Sequence, residues 1–239
     1  HAVHDARYDA SVPPVYLAST FGTAGEDNTF MTPYLQRPLE LGADITVQSA
    51  TKFLAGRADL LAGVAATNDP DLAVLLHRGQ LVSGALLPPI DSYRLLQDVK
   101  TLALRLERQQ QNARELIDFL SARPEVEQIF YPGSSSEEQA EIQSRQARGI
   151  GSVFSLLLAE GGDAQAFARA LPIFVNAVSL GGIESLVSLP AHTTHGAYAQ
   201  EHRDEFGVDD RLVRLAIGIE DVQDLTAALE IGLKAAFAG

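Results

Sequence analysis

Two hydroxyls and a lysine lie together at the end of a β-branched run in "ITVQSATKFLAG", residues 45–56. The run predicts a buried strand, and the small-residue turn after it would present backbone N–H groups and hydroxyls outward. Such a turn suits an anion such as a phosphate, to which Ser49 and Thr51 could each donate a hydrogen bond. The Lys52 amine could pair with that phosphate or form a Schiff base with a carbonyl. Taken alone, residues 49–52 fit an ordinary turn with an exposed lysine better than they fit a ligand site.

Arg214 is a second candidate, in the stretch "RLVRLAIGIE" (211–220). The alternation predicts a strand that carries Arg214, Ala216 and Gly218 on one face. The opposite face carries the apolar residues of the stretch: Val213, Leu215, Ile217 and Ile219. An arginine flanked by minimal side chains has room above it for a ligand, and its planar guanidinium suits a carboxylate. A salt-bridged arginine on an exposed face is equally compatible with the pattern.

The composition limits the classes of function. The 239 residues carry 31 acidic and 18 basic side chains, a net charge of −13, and no Lys/Arg cluster of the kind a nucleic-acid binder needs. The absence of cysteine excludes disulfides, thiolate catalysis and thiolate metal sites. No apolar run reaches membrane-spanning length, and residues 1–14 do not have the layout of a signal peptide. We therefore expect a soluble, cytoplasmic protein with no nucleic-acid or membrane partner.

The first hundred residues contain three short β-rich runs separated by turn residues: 15–21, 43–50 and 59–67. The spacing of apolar residues then changes: apolar or small residues recur at intervals typical of a helix between Asp91 and Pro124. This spacing predicts one long helix with Asp91 as its N-cap. We interpret the helix as a spine that joins two domains.

The rest of the chain alternates strands with helices. We expect strands at 152–159, 174–180 and 211–220, a helix at 163–171, and a final amphipathic helix from Asp221. Residues 133–141 predict a surface loop that runs into a helix. Alternation of this kind favours an α/β fold.

Several motifs together resemble the pyridoxal-phosphate (PLP) enzymes of cysteine and methionine metabolism. The segment 27–63, which contains Lys52, matches the lysine segment of that family almost residue for residue. Further matches follow in the family's order: "VPPVYLASTF" (12–21), "VKTLALRLER" (99–108), "FYPG" (130–133), "VSLGGIESLVSLPA" (178–191) and "LVRLAIGIEDVQDL" (212–225). The resemblance covers nearly the whole chain. It implies the fold-type I PLP-dependent transferase-like α/β fold.

The resemblance also implies roles for the residues of the lysine segment. Lys52 would hold the aldehyde of PLP and later move the proton at the substrate Cα. Ser49 and Thr51 would bind the cofactor phosphate. Asp27 would lie against the pyridine nitrogen and keep it protonated, so that the ring can accept electrons. In the C-terminal part, Arg214 would bind the substrate α-carboxylate with help from Ser179, in agreement with the pattern around Arg214.

By the same resemblance, residues 1–26 form an N-terminal arm, 27–103 a partial PLP-binding domain and 104–239 a smaller C-terminal domain. The family has well over a hundred residues between the arm and the aspartate, whereas here Asp27 follows "GTAGE" (22–26), which has no strand character. A deletion would leave a catalytically inactive remnant that assembles with partners. We favour the alternative that a mobile stretch between Phe21 and Asp27 is absent from the sequence, with a chain break between Gly22 and Asp27.

The family catalyses elimination at Cβ or Cγ and replacement at Cγ. Its γ-synthases and animal γ-lyases tend to have glutamate where this chain has Val178, which favours bacterial cystathionine lyases or methionine γ-lyase. We expect a PLP-dependent C–S lyase that splits cystathionine or a related amino acid into a thiol, ammonia and a 2-oxo acid, working as a homotetramer. A γ-replacement enzyme (cystathionine γ-synthase or homoserine sulfhydrylase) is the alternative.

The "HTTH" stretch (192–195) has the helical spacing of two metal ligands. It lacks the glutamate of an HExxH motif and an obvious third ligand, so we expect no metal site. We assign His195 a structural role. The GxSxG motif of a serine hydrolase is also missing.

Overall fold

The computed structural model describes residues 25–132, 136–196, 198, 200–205 and 207–238. The β-rich run predicted at 15–21 and almost all of the predicted arm (1–26) lie outside these residues. Within this part of the chain, no helix is both long and apolar enough to cross a membrane.

A small three-stranded sheet carries the lysine segment. Its strands are β1 (Gly25–Asp27), β2 (Ile45–Ser49) and β3 (Gly63–Ala66), in the order β1-β2-β3. Strand β2 lies at the centre, parallel to β1 and antiparallel to β3. The β-rich runs predicted at 43–50 and 59–67 are confirmed, with shorter bounds.

The predicted lack of strand character before Asp27 is wrong for Gly25 and Glu26. These residues continue into Asp27 as one strand because their backbone pairs with Ile45 and Thr46 of β2. The expected chain break therefore does not fall within Gly25–Asp27. Residues 22–24, where the rest of that expectation lies, are outside the described part.

Helices follow the small sheet. They are α1 (Thr32–Leu35), a 3₁₀ turn (Pro38–Leu41), α2 (Pro70–Ser83), α3 (Pro89–Val99) and α4 (Leu102–Ser121). The prediction of one long helix is wrong, since α3 and α4 are separate. The predicted N-cap is also wrong, because Pro88 precedes α3 and the Asp91 carboxylate accepts a hydrogen bond from Arg94 within the helix.

The break between α3 and α4 has a local cause. The Thr101 and Lys100 N–H groups bond to Asp98 O and Gln97 O, which tightens the last turn of α3. The Asp98 carbonyl also accepts a hydrogen bond from the Arg105 guanidinium, 3.2 Å away. The Asp98 carbonyl thus accepts hydrogen bonds from the Thr101 N–H and from the side chains of Thr101 and Arg105, in place of the N–H four residues on that a continuous helix would supply.

The C-terminal part builds a five-stranded sheet in the order β4-β5-β8-β7-β6, antiparallel except for the β6–β7 pair. Its strands are β4 (Val126–Phe130), β5 (Val153–Leu158), β6 (Val175–Asn176), β7 (Leu186–Ser188) and β8 (Leu212–Ala216). Its helices are α5 (Glu137–Gln146), α6 (Ala164–Ala170), α7 (Gln200–Glu205) and α8 (Val222–Ala236), with a 3₁₀ turn at Pro190–His192.

The predicted strands at 152–159 and 211–220, the helix at 163–171 and the helix that begins after Asp221 are confirmed. The strand predicted at 174–180 is wrong beyond its first residues. Only Val175–Asn176 pairs with β7, because β6 lies at the sheet edge and the chain leaves it before the Ser179 loop.

Two apolar cores hold these elements. The larger one lies between the five-stranded sheet and helices α4, α6 and α8. The smaller one contains Phe53 and Leu54 from the turn after β2, Leu106 from α4 and Leu180 from the loop after β6. This core therefore packs the residues after β2, helix α4 and the loop that carries Ser179 against one another.

Strand β3 and helices α2 and α3 expose many apolar side chains. No residue of α2 is buried, and all four residues of β3 are exposed. The large apolar residues exposed here, the α2–α3 surface below, are Val64, Val74, Leu75, Leu81, Val82, Leu86, Ile90, Tyr93 and Leu96. Apolar side chains exposed in such number are typical of a surface that further protein covers.

Candidate active site

The segment that follows β2 is a compact turn with Lys52 on its open side. The Lys52 N–H bonds to Ser49 O at 3.2 Å, and Gly56 N bonds to Lys52 O at 2.7 Å. Ala50 and Phe53 are almost fully buried on the opposite side. Because these neighbours fix the backbone, Lys52 leaves the turn towards the C-terminal part of the chain. We call residues 49–56 the lysine turn.

Ser179 brings the two predicted cationic residues to one place. Lys52 Nζ donates to Ser179 Oγ at 3.1 Å, and Arg214 Nη2 donates to Ser179 O at 3.0 Å. These three residues are far apart in the sequence, and their contact joins the lysine turn to β8. An amine and a guanidinium held on one serine form a positive site suited to a carboxylate.

Arg214 lies in the middle of the five-stranded sheet. Its cross-strand neighbours are both serines, Ser155 on β5 and Ser188 on β7. Val213 and Leu215 are fully buried on the opposite face. The predicted alternation is thus confirmed within β8, and both cross-strand neighbours of Arg214 have small side chains. Burial lowers the pKa of Arg214, because the charged form loses hydration.

Asp27 connects to the lysine turn through Thr29. The Thr29 N–H and hydroxyl both donate to Asp27 Oδ1, at 2.9 and 2.5 Å. The Thr29 hydroxyl in turn accepts a hydrogen bond from Ser49 N at 2.8 Å. The chain of bonds sets the orientation of the carboxylate relative to β2. Sequence reasoning missed Thr29, although its position two residues after an aspartate is typical of a local side-chain-to-backbone turn.

The hydrogen-bonding capacity of the Thr51 hydroxyl is partly used within the protein. The hydroxyl accepts a hydrogen bond from Ala62 N at 3.0 Å. Its own hydrogen has only a 3.4 Å contact to Ala62 O, so it is available to a stronger acceptor. The Ser49 hydroxyl has no hydrogen-bond partner among the described residues.

A cleft of about 940 Å³ opens beside Lys52. It is lined by residues from both parts of the chain, among them Thr51, Lys52 and Ser179, whereas Asp27, Ser49 and Arg214 do not line it. Its walls also carry four further charged residues: Asp59, Asp91, Arg94 and Glu184. The cleft is large enough for a cofactor and an amino acid together.

The donor set fits a pyridoxal phosphate. Lys52 has a primary amine that could bond to the aldehyde, and the Ser49 and Thr51 hydroxyls can donate to phosphate oxygens. Asp27 Oδ2 has no hydrogen-bond partner among the described residues and can accept from a ring N–H. These groups belong to adjoining segments of the small sheet, as a single bound molecule requires.

The two histidines of the 192–195 stretch do not form a metal centre with other described residues. Nowhere in the described ranges do three His, Asp or Glu side chains come close enough to hold an ion. His192 lies 3.3 Å from the Gln165 amide, and the His195 ring lies against Tyr198.

The Thr29 contacts generate a stability prediction. Thr29→Val keeps the side-chain shape but leaves Ser49 N–H without an acceptor, which should lower the free energy of unfolding by about 1–3 kcal/mol. Thr29→Ser keeps the hydroxyl and should recover most of the loss. Urea titration of the three proteins measures both effects, and equal stability of the Val variant and the original protein would contradict the assigned contacts.

The chain is similar to known proteins over most of its length. It is 44% identical over 199 residues to a cystathionine γ-lyase of Bacillus subtilis, covering 83% of this chain and 52% of that protein. It is 41% identical over 208 residues to a cystathionine β-lyase of Lactococcus lactis (87% and 55%). A solved cystathionine γ-lyase of Lactobacillus plantarum, complexed with L-serine, superposes with a TM-score of 0.86 at 37% identity (90% and 56%). Cystathionine γ-synthases are among the similar structures as well.

The chain spans about half the length of these curated relatives. Its fold is that of the solved lyases and synthases, with mixed sheets and layered helices, which confirms the predicted fold class. The family model for Cys/Met metabolism PLP-dependent enzymes matches residues 23–234. With that match over most of its length, this chain belongs to the family of PLP-dependent enzymes of cysteine and methionine metabolism.

Proposed function

We propose that the protein is a PLP-dependent carbon–sulfur lyase that acts on cystathionine or a related sulfur amino acid. The contact of Lys52 Nζ with Ser179 Oγ beside the cleft carries the proposal, since it sets one amine where an amino acid can enter. The names of the similar proteins support it, because lyases predominate among them. A cytoplasmic location stays a prediction from the sequence.

Each proposed site residue has a distinct task. When bound, PLP supplies an electron sink for negative charge at the substrate Cα. Lys52 holds the cofactor aldehyde and moves the proton at Cα, so its amine must reach both. Asp27 accepts the hydrogen bond of the ring nitrogen, and Ser49 and Thr51 donate to the phosphate.

Arg214 and Ser179 bind the amino-acid end of the substrate. The half-buried guanidinium of Arg214 offers paired N–H donors to the α-carboxylate, and its low hydration strengthens the contact. Ser179 orients the guanidinium through its carbonyl and the Lys52 amine through its hydroxyl. The substrate Cα is thereby placed next to the group that removes its proton.

The charged walls of the cleft favour cystathionine over methionine as substrate. Glu184 can bind a second ammonium, and Arg94, which pairs with Asp91 within the protein, can exchange that partner for a second carboxylate. Cystathionine carries both groups at its far end, whereas methionine ends in a methyl group. The shorter, apolar substrate offers these charged groups no partner and gains no contact from them.

Replacement at Cγ is the alternative reaction, and similar γ-synthase structures support it. Val178, 52% exposed, provides no carboxylate at the position before Ser179. We therefore favour elimination. Incubation with cystathionine should give a 2-oxo acid, pyruvate for β-elimination or 2-oxobutyrate for γ-elimination, detectable by chromatography of the hydrazones. Formation of cystathionine from an activated homoserine and cysteine, without oxo acid, would establish the alternative.

We propose that the protein works as an assembly, a homotetramer built as a dimer of dimers. The α2–α3 surface supports this, since its apolar side chains need a cover. The same surface also suits the alternative of an inactive chain that assembles with full-length partners. Sedimentation of the purified protein as a monomer would contradict the homotetramer, and a protein without turnover or cofactor capture would favour the alternative.

Lys52 should capture the cofactor covalently. The chain has three lysines, Lys52, Lys100 and Lys234, so the outcome is easy to assign. Pyridoxal phosphate followed by borohydride should label Lys52, and peptide mass spectrometry locates the label. Lys52→Ala should lose the label and turnover, because no other described amine faces the cleft.

Lys100→Ala is the matched control, since Lys100 is exposed and its amine contacts only Gln97 among the described residues. It should keep both labelling and turnover. Preferential labelling of Lys100 or Lys234 in the original protein would refute the role proposed for Lys52.

Arg214→Ala should impair substrate use and leave cofactor capture at Lys52 nearly unchanged. Loss of a charge-assisted contact in a half-buried site should reduce transition-state stabilisation by about 2–5 kcal/mol. Steady-state kinetics with cystathionine gives kcat/KM, and the labelling assay gives the capture. A near-normal kcat/KM would rule out carboxylate binding by Arg214.

A further inference from the structure

Helix α4 carries three buried polar side chains on one face. Arg105, Gln109 and Asn112 follow each other at the i, i+4 and i+7 positions, which places them in one line along the helix. Their exposed fractions are 7%, 0% and 1%. We call this line the polar stripe. Buried polar groups need partners, and the partners of the stripe show what it holds.

Arg105 holds the lysine turn. Its Nη1 donates to Phe53 O at 2.7 Å, and its Nη2 donates to Leu54 O at 3.2 Å. Phe53 is the neighbour of Lys52, so the guanidinium bonds directly to the backbone that carries the amine. Gly56 fits against it with a φ of +73°, and a Cβ there would lie 2.1 Å from Arg105 Nη1.

Gln109, one turn further along, holds the Ser179 loop. Its Nε2 donates to Gly182 O at 2.6 Å. The same loop touches the lysine turn directly, since Ile183 N donates to Gly56 O at 2.9 Å. At Gly181, with a φ of +80°, an added Cβ would lie 2.6 Å from Phe53 N. The backbones of the Ser179 loop and the lysine turn are thus in contact, and both segments bond to the polar stripe.

Asn112 holds the segment that leaves β8. Its Nδ2 donates to Gly218 O at 3.2 Å and to Glu220 O at 2.9 Å. This segment directly follows the strand that carries Arg214. The stripe therefore bonds, in order, to the three segments that contribute Lys52, Ser179 and Arg214.

The stripe retains polar atoms that packing alone would not select. Gln109 Oε1 and Asn112 Oδ1 are buried and have no hydrogen-bond partner among the described residues. Burying such atoms opposes folding, and apolar side chains of similar size would avoid the cost. Amides at these positions point to a requirement for their N–H donors.

We propose that the polar stripe is a positioning element for the reaction. Through its hydrogen bonds, α4 fixes the positions of the lysine turn, the Ser179 loop and the end of β8 relative to one another. The proposal rests on the proposed function, because it explains how the groups of that site are aligned. A helix holds its side chains at fixed spacing, and a misplacement of about 1 Å in a site can reduce rates about 100-fold. Arg105, Gln109 and Asn112 are positioning residues and touch neither substrate nor cofactor.

The test replaces Gln109 and measures the reactivity of Lys52. Gln109→Met keeps the length of the side chain and removes the donor to Gly182 O. With pyridoxal phosphate and cyanoborohydride well below the unfolding temperature, the rate of capture at Lys52 relative to Lys100 should fall about 10- to 100-fold. Lys100 in the same molecule corrects for reagent and protein concentration.

Gln111→Met is the matched control, because Gln111 lies on the exposed face of the same helix and contacts only Glu115 among the described residues. It should leave the Lys52-to-Lys100 ratio unchanged. A merely structural role of Gln109 would lower the unfolding temperature without changing this ratio in the folded protein.

The outcomes separate the two proposals. An original protein that shows no preference for Lys52 over Lys100 and Lys234 would overturn the proposed function itself. A preference that persists unchanged in folded Gln109→Met would overturn the positioning role alone. If Gln109→Met does not fold, Arg105→Lys takes its place, since lysine keeps the charge but loses the planar fork that reaches two carbonyls. An unchanged ratio in that variant would equally overturn the positioning role.

Discussion

The hydrogen bond from Ile183 N to Gly56 O ties the lysine turn of the small sheet to the loop that carries Ser179. The two backbones can approach this closely because Gly181 has no side chain, since a Cβ there would lie 2.6 Å from Phe53 N; both Gly56 and Gly181 adopt positive φ. The contact joins the two parts of the chain that contribute to the site. It places the Lys52 amine on Ser179, and through Ser179 it places the amine near Arg214.

The site is positively charged, whereas the whole chain has a net negative charge. The chain carries a net charge of −13, yet Lys52 and Arg214 meet on one serine whose hydroxyl and carbonyl are neutral acceptors. Neither cation has a carboxylate partner within the described residues. Two adjacent cations that are partly buried without a negative partner destabilise each other. A substrate carboxylate or cofactor phosphate would supply the negative charge, so the site favours binding of an anion.

The two halves of the molecule differ in how well they are packed. The five-stranded sheet buries its apolar face against α4, α6 and α8 and forms the larger core. The small sheet has three strands, and its edge strand β3 and the adjacent α2 expose their apolar side chains. Because three strands with one uncovered side bury little apolar area, the small sheet depends on α4 and on whatever covers the α2–α3 surface.

Local patterns in the sequence determined much of the fold and several members of the site. Alternation around Arg214 predicted its face of β8, the β-branched run at Ile45 predicted β2, and the family motifs made Lys52 the candidate lysine. Local patterns did not predict the break between α3 and α4 or the role of Thr29. The break coincides with the backbone bonds of Lys100 and Thr101 and with Arg105 bonding to Asp98 O, and Thr29 matters through Ser49, twenty residues away. Only the tertiary structure decided that Lys52, Ser179 and Arg214 meet, because hydrogen bonds between residues so distant in sequence leave no periodic pattern.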